Sequence, residues 1–240
     1  MLEKNVISIS YDEQGNPIRR IKSFVRHQGR LTKGQATAID ELWLKYGIPY
    51  QNSGYVDFTS LFERSAPLIL EIGFGMGHSL IEMAKQNPDK NYLGIEVHQP
   101  GIGTCLMGIK NERLVNVRLI CHDAVDVLTA MIANDSLAKI QLFFPDPWHK
   151  TRHHKRRLFQ LPFATLVAQK LATGGVLHMA TDWQNYAEHM LLIMDDVAQF
   201  RNLSSTGRYV ARPDSRPITK FEQRGARLGH GVWDLMFEKL

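Results

Sequence analysis

From Pro67 onward the chain alternates short apolar runs with stretches of helical spacing, and this pattern constrains its fold more than any other feature. LILEI (68–72) reads as a buried strand, followed by the loop GFGMG and a helical run to about Gln86. Asn87-Pro88-Asp89 is a turn signal, YLGIEV (92–97) a second strand, and a helix spans roughly Ile102 to Arg113. NVRLIC (116–121) reads as a third strand and AVDVLTAMI (124–132) as the helix after it. IQLFFP (140–145) and GGVLHMAT (174–181) are a fourth and a fifth strand, with a helix on each side of the fifth. Strands alternating with helices of roughly 10–15 residues imply βαβ units, hence a parallel sheet with both faces covered. The tail VWDLMFEKL (232–240) alternates like a last strand, added antiparallel to an otherwise parallel sheet.

At roughly 100–200 residues per domain, 240 residues make one large domain with an extension. The boundaries fall as a basic N-terminal arm plus short helix over residues 1–50 and a catalytic domain over 51–240. In the first part, Ile39, Leu42, Trp43 and Tyr46 stand at helical spacing, and Gly47 and Pro49 end that helix. Residues 200–230 are rich in Arg, Pro and Ser and read as loops with a short strand. No run of about 18 apolar residues exists, so no membrane span is expected. The N-terminus lacks a charged start followed by an apolar run, so no secretory signal is read. Cys105 and Cys121 show no metal-type spacing and read as reduced thiols of a cytoplasmic protein, Cys121 buried.

In an open parallel sheet, ligands bind outside the carboxyl ends of the strands. The first strand here ends in Glu71-Ile72-Gly73-Phe74-Gly75-Met76-Gly77. Alternate glycines let backbone approach a ligand with no Cβ in the way. A phosphate loop would need Gly-Lys-Ser/Thr, and a dinucleotide loop G-x-G-x-x-G; neither is present. S-adenosylmethionine sites are the third class that uses such a loop. Glu96 ends the second strand, where a carboxylate can accept from both ribose hydroxyls. Asp123 follows the third strand, where it can accept from the adenine amine or cap the next helix, or both. Glu71, at the tip of a buried strand, needs a partner: a cationic cofactor or a local Arg or Lys.

The net charge of +5 is unevenly placed. Residues 16–39, 149–160 and 201–230 together carry +16, so the rest of the chain carries −11. An acidic body with three basic segments points to a polyanionic partner, against the plainer reading of solvated loops. One of these segments begins at the end of the fourth strand, in Phe144-Pro145-Asp146-Pro147-Trp148-His149-Lys150. Two prolines around an acid fix the local backbone and remove two N–H donors, which holds a carboxylate in one place. The end of the fourth strand lies beside the glycine loop in a doubly wound sheet, so Asp146 should face the bound cofactor, against the plainer reading of an Asp-Pro turn starter. Trp148 can stack on a base or fill the core. The run Lys150, Arg152, His153, His154, Lys155, Arg156 and Arg157 follows at once, suited to RNA phosphates.

EIGFGMG, GIEVH, CHDAVDVL and QLFFPDPWHKTRHHKRR, in that order, resemble the bacterial tRNA (guanine-N7)-methyltransferases of the class I, S-adenosylmethionine-dependent type. FVRHQGRLTKGQ and PDSRPITKFEQRG also match that family's motifs, so the resemblance covers residues 20–240. It implies an α/β fold: a doubly wound, mostly parallel, seven-stranded Rossmann-like sheet with the last strand antiparallel. It implies S-adenosylmethionine as cofactor, S-adenosylhomocysteine as product, no metal, and tRNA as partner. It implies methylation of N7 of the variable-loop guanosine, position 46. Carried over by position, Glu71, Gly73, Gly75, Gly77, Glu96, Asp123 and Asp146 bind the cofactor, and Asp146 is also catalytic. Lys150, Asp182 and Thr219-Lys220-Phe221-Glu222 contact substrate. Asp182 has the N-cap of the following helix as its alternative role, and Glu222 could share or replace the base-reading role of Asp146. The basic arm is expected to engage RNA, and the chain to be a monomer, with a dimer left open.

Three rival readings differ from this one. Amine-methylating RNA enzymes usually carry Asn/Asp-Pro-Pro-aromatic at the fourth strand, whereas this chain has Asp-Pro-Trp with a preceding proline. A nicotinamide-dependent oxidoreductase would share the fold and Glu96 but leave the basic runs unexplained. A non-catalytic RNA-binding module would not need the cofactor acids.

Overall fold

The computed structural model describes residues 10–11, 17–18, 22–24, 29–218, 222 and 231–240. Two short strands, β1 (Ser10–Tyr11) and β2 (Pro17–Ile18), pair antiparallel at the N-terminus. α1 (Lys33–Tyr46) starts in a capping box, with Thr32 and Gln35 bonding each other's backbone N–H. α2 (Phe58–Phe62) is a single turn capped by Asp57, too short to leave a periodic signal.

The alternating region builds the sheet. Its elements are β3 (Leu68–Ile72), α3 (His78–Gln86), β4 (Asn91–Ile95), α4 (Gln99–Asn111), β5 (Val117–Ile120), α5 (Ala124–Ala130) and β6 (Leu137–Phe143). After them come α6 (Leu161–Lys170), β7 (Leu171–Thr181), α7 (Gln184–Asp195), β8 (Phe200–Asn202) and β9 (Trp233–Lys239). All the strands read from the sequence are present, β6 and β7 starting three residues earlier than read. The short strand expected within 200–230 is β8.

The seven strands lie in the order β5-β4-β3-β6-β7-β9-β8. β3 to β7 are parallel, and β9 runs antiparallel between β7 and β8. The last strand is thus antiparallel as expected, but it is inserted one place in from the edge. The order reverses at β3, so the carboxyl ends of β3 and β6 open a crevice there.

β3 is buried along its whole length, which is why its sequence is almost uninterrupted apolar. Leu68, Leu70 and Ile72 join the core layer under α2, α5, α6 and α7. Ile69 joins the opposite layer, with α1, α3 and α4. Glu71 shares the face of Ile69 by the two-residue period of a strand.

Candidate active site

A cleft of about 210 Å³ lies at the carboxyl ends of β3, β4, β5 and β6. Gly73 and Ile72 form its floor, Glu96 and Val97 one wall, His122 to Ala124 another. Phe143 to Asp146 close the far side, and Ser23 and Phe24 of the N-terminal segment complete the lining. Apolar walls beside carboxylates suit a flat base joined to a ribose.

The loop after β3 turns only because of its glycines. Gly73, Gly75 and Gly77 have φ of 72°, 58° and 81°, the left-handed region that side chains rarely adopt. Glu96 then locks the loop. Its Oε2 accepts from Gly75 N at 2.8 Å, and its Oε1 accepts from Val97 N at 2.7 Å and His98 N at 3.0 Å. One of a carboxylate's roughly four acceptor positions remains. Asp123 Oδ1 accepts from Val125 N at 3.0 Å, so it caps α5 while also lining the cleft. The capping role read from the sequence is present, and it leaves Asp123 facing the cleft.

Glu71 is placed differently from the other acids. It is 3 % exposed and is not part of the cleft lining. Burial and the neighbouring charge of Glu96 push its carboxyl up to about 8, so it is held neutral near pH 7. No Arg or Lys bridges it among the described residues.

Asp146 stands exposed at the mouth of the cleft. The turn that presents it is strained: Phe144 and Trp148 have φ of 52° and 49°, unusual for aromatic residues. Long-range bonds hold this turn in place. Phe144 N donates to Ala180 O on β7 at 2.8 Å, and Trp148 Nε1 donates to Ser23 O at 3.1 Å. Arg157 Nε donates to Pro147 O at 2.9 Å.

The basic run after Lys150 forms two turns of 3-10 helix over Thr151–Arg156. It does not act as one surface. Lys150, Arg152 and Lys155 are exposed, and Arg156 lies over the Trp148 ring at 4.6 Å. Arg157 is turned inward at 3 % exposure. It donates to Asn185 Oδ1 at 2.7 Å and His154 Nε2 at 3.1 Å, and its guanidinium lies over the Tyr186 ring at 4.7 Å. A phosphate role for Arg157 is therefore not supported by its placement: its donors hold the Asp146 turn. His153 packs edge-on against Trp148. Burial and then the charges of Arg152 and Arg156 lower its affinity for a proton.

Asp182 follows β7, half-buried, and does not cap α7: the cap position is Trp183, and Thr181 Oγ1 accepts from Trp183 N at 3.2 Å. Glu222 is half-buried and bonded by Arg216. Thr219, Lys220 and Phe221 lie outside the described residues, as do Arg19, Arg20 and Arg26 of the arm.

Sequence reasoning missed several residues here. Ser23 precedes and Phe24 opens the FVRHQGRLTKGQ stretch, whose basic character points to RNA and not to the cleft they line. His122 stacks on Tyr50 at 3.7 Å with rings 8° apart, a pairing across 72 positions. Arg216 belongs to the basic segment 201–230, which the charge pattern assigns to a polyanion, but it is fully buried.

A family profile described as "Putative methyltransferase" matches residues 65–235. The chain is 63 % identical over 238 residues to a tRNA (guanine-N(7)-)-methyltransferase of Sodalis glossinidius, covering 99 % of each. It is 59 % identical over 239 residues to the protein of that name from Salmonella typhimurium, covering 100 % of each. It belongs to the tRNA (guanine-N(7)-)-methyltransferase family. The Yersinia enterocolitica member is 62 % identical over 235 residues, with 98 % of each chain covered. Among solved structures, the 16S rRNA methyltransferase KamB superposes with a TM-score of 0.55 at 13 % identity, over 78 % of this chain and 96 % of that one. The aminoglycoside resistance methyltransferase NpmB1 gives 0.54 at 12 %, over 80 % and 95 %. At those identities the likeness is one of fold: the class I methyltransferase sheet. Among the described residues no helix is long and apolar enough to cross a membrane.

Proposed function

We propose that this family member transfers the methyl group of S-adenosylmethionine to N7 of the variable-loop guanosine of tRNA, position 46, with S-adenosylhomocysteine as the product. The observation that carries the reading is Asp146: a carboxylate on a strained Pro-Asp-Pro turn, at the mouth of the cleft, with a basic 3-10 segment beginning five residues on.

The cofactor fits the residues present. Asp123 offers a lone pair to an adenine amine, Glu96 its remaining one to a ribose hydroxyl, and Ile72, Leu142 and Leu158 apolar contact. When bound, the cofactor supplies an activated methyl on sulfonium. Glu71, held as a neutral acid, places no second full charge beside Glu96.

Guanine N7 carries a free lone pair, so no residue need remove a proton before attack. The new N–C bond forms as the S–C bond breaks, and its electron pair stays on sulfur. Positioning supplies much of the acceleration. The ring becomes cationic, and its N1–H and amine become stronger donors. A fixed carboxylate accepting from them binds the transition state more tightly than the ground state. Asp146 has that role, with Glu222 and Asp182 as further acceptors for the base or ribose. Lys150, Arg152, Lys155 and Arg156 meet phosphates, and His153 and His154 flank them. Thr219, Lys220 and Phe221 contact the base by resemblance. The arm reaches RNA, and the enzyme works as a monomer in the cytoplasm.

The test is direct. The protein is incubated with methyl-labelled S-adenosylmethionine and total tRNA, and the RNA is digested to nucleosides. Labelled 7-methylguanosine is expected; another methylated nucleoside, or none, refutes the reading.

A further inference from the structure

Arg216 is fully buried, yet nothing in the reaction above uses it. A buried guanidinium is costly unless its charge and its N–H groups are matched. Here two carboxylates match it. Nε and Nη2 donate to Asp234 Oδ1 and Oδ2 at 2.7 and 2.9 Å. Nη1 and Nη2 donate to Glu222 Oε2 and Oε1 at 2.7 and 3.0 Å.

Asp234 is fixed from the other side. It lies on β9 in register with Ala180, next to the carboxyl end of β7, and accepts from His178 Nε2 at 2.8 Å. His178 is itself fully buried. The guanidinium also lies 5.9 and 5.6 Å from the rings of Phe143 and Phe144, where the Asp146 turn begins. A connected chain thus runs from the sheet, through Asp234 and Arg216, to Glu222 in the late substrate motif.

We infer that Arg216 is a positioning residue: anchored by Asp234, it holds the Glu222 carboxylate beside the Asp146 turn, where both can read one guanine. This rests on the guanine reading above. Arginine is required because its planar fork bonds two carboxylates at once. Lysine keeps the charge but offers a single point donor.

The test compares Arg216→Lys, Glu222→Gln and the double variant in single-turnover methyl transfer to tRNA, with calorimetry on S-adenosylhomocysteine. Each single change is expected to slow transfer by roughly 10–100-fold, the range for a slightly misplaced group. The tRNA KM should stay within about threefold, since phosphate contacts dominate it, and S-adenosylhomocysteine binding should be unaltered. The double variant should be no slower than the slower single one, because Arg216 acts through Glu222. Losses that multiply, or a wild-type rate in R216K, overturn the inference. If R216K proves unstable, the isosteric Asp234→Asn loosens the arginine from behind. It must also slow transfer, and a wild-type rate there overturns the inference equally. Failure of the unaltered protein to form 7-methylguanosine would instead defeat the reading underneath.

Discussion

Replacing Gly101 with alanine sets two effects of opposite sign against each other. Gly101 is in the first turn of α4, where alanine favours the helix by about 1 kcal/mol over glycine. A Cβ at this position, however, would lie 2.2 Å from the carbonyl oxygen of Gly75 and 3.5 Å from Glu96 Cγ. The first contact must open by about 0.8 Å to reach even 3.0 Å, the lower edge of real Cβ contacts. The partner is backbone, so no side chain can swing aside. Overpacking of this kind costs about 1–3 kcal/mol, which cancels or exceeds the helix gain. The net loss is about 0–2 kcal/mol, a fall in Tm of up to roughly 8 °C for a chain of this size. The displaced group belongs to the loop that Glu96 holds through Gly75 N at 2.8 Å. Cofactor affinity should therefore fall more than stability, by roughly 10–100-fold. Calorimetry with S-adenosylhomocysteine and a thermal melt of the same sample measure both. A G101A protein that binds as tightly as wild type and melts higher would show that helix propensity wins and that the contact is soft.

Other expectations follow from the same geometry. Asp146→Asn should keep the melting temperature and lower the single-turnover rate by roughly 10²-fold or more, and a near-wild-type rate sinks its role. Arg156→Ala should leave the melt nearly unchanged and reduce the salt slope of tRNA binding by about one phosphate's worth, whereas Arg157→Ala should cost about 2–4 kcal/mol of stability through its buried bonds; equal effects from the two would remove the distinction drawn between them. Glu71→Gln should be close to neutral near pH 4.5. Between there and about pH 8 the wild type loses stability, since its unfolded chain ionises while the folded carboxyl stays protonated, so the variant gains by a few kcal/mol. A constant difference across that range, read from urea unfolding, contradicts a neutral buried Glu71. Removing residues 1–33 should weaken tRNA binding and flatten its salt dependence. Because Ser23 and Phe24 line the cleft, it should weaken S-adenosylhomocysteine binding as well, and unchanged calorimetry would detach the arm from the cleft.

Local pattern determined much of this protein. The strand set, the loop of Gly73, Gly75 and Gly77, and the acids Glu96, Asp123 and Asp146 at strand ends were all readable, because each depends on residues a few positions apart. A five-residue helix such as Phe58–Phe62 was not, since one turn shows no period. The tertiary structure alone decided which charges face water. Arg216 and Arg157 look in sequence like their basic neighbours, and the net charge of +5 counts them alike. They are buried because partners at long range, Asp234 at 18 positions and Asn185 at 28, satisfy their donors. Glu71 lies on the sheet face opposite to Leu70 and Ile72, buried and outside the cleft lining. Charge is a property of a residue, but its desolvation depends on segments the chain brings together only when folded.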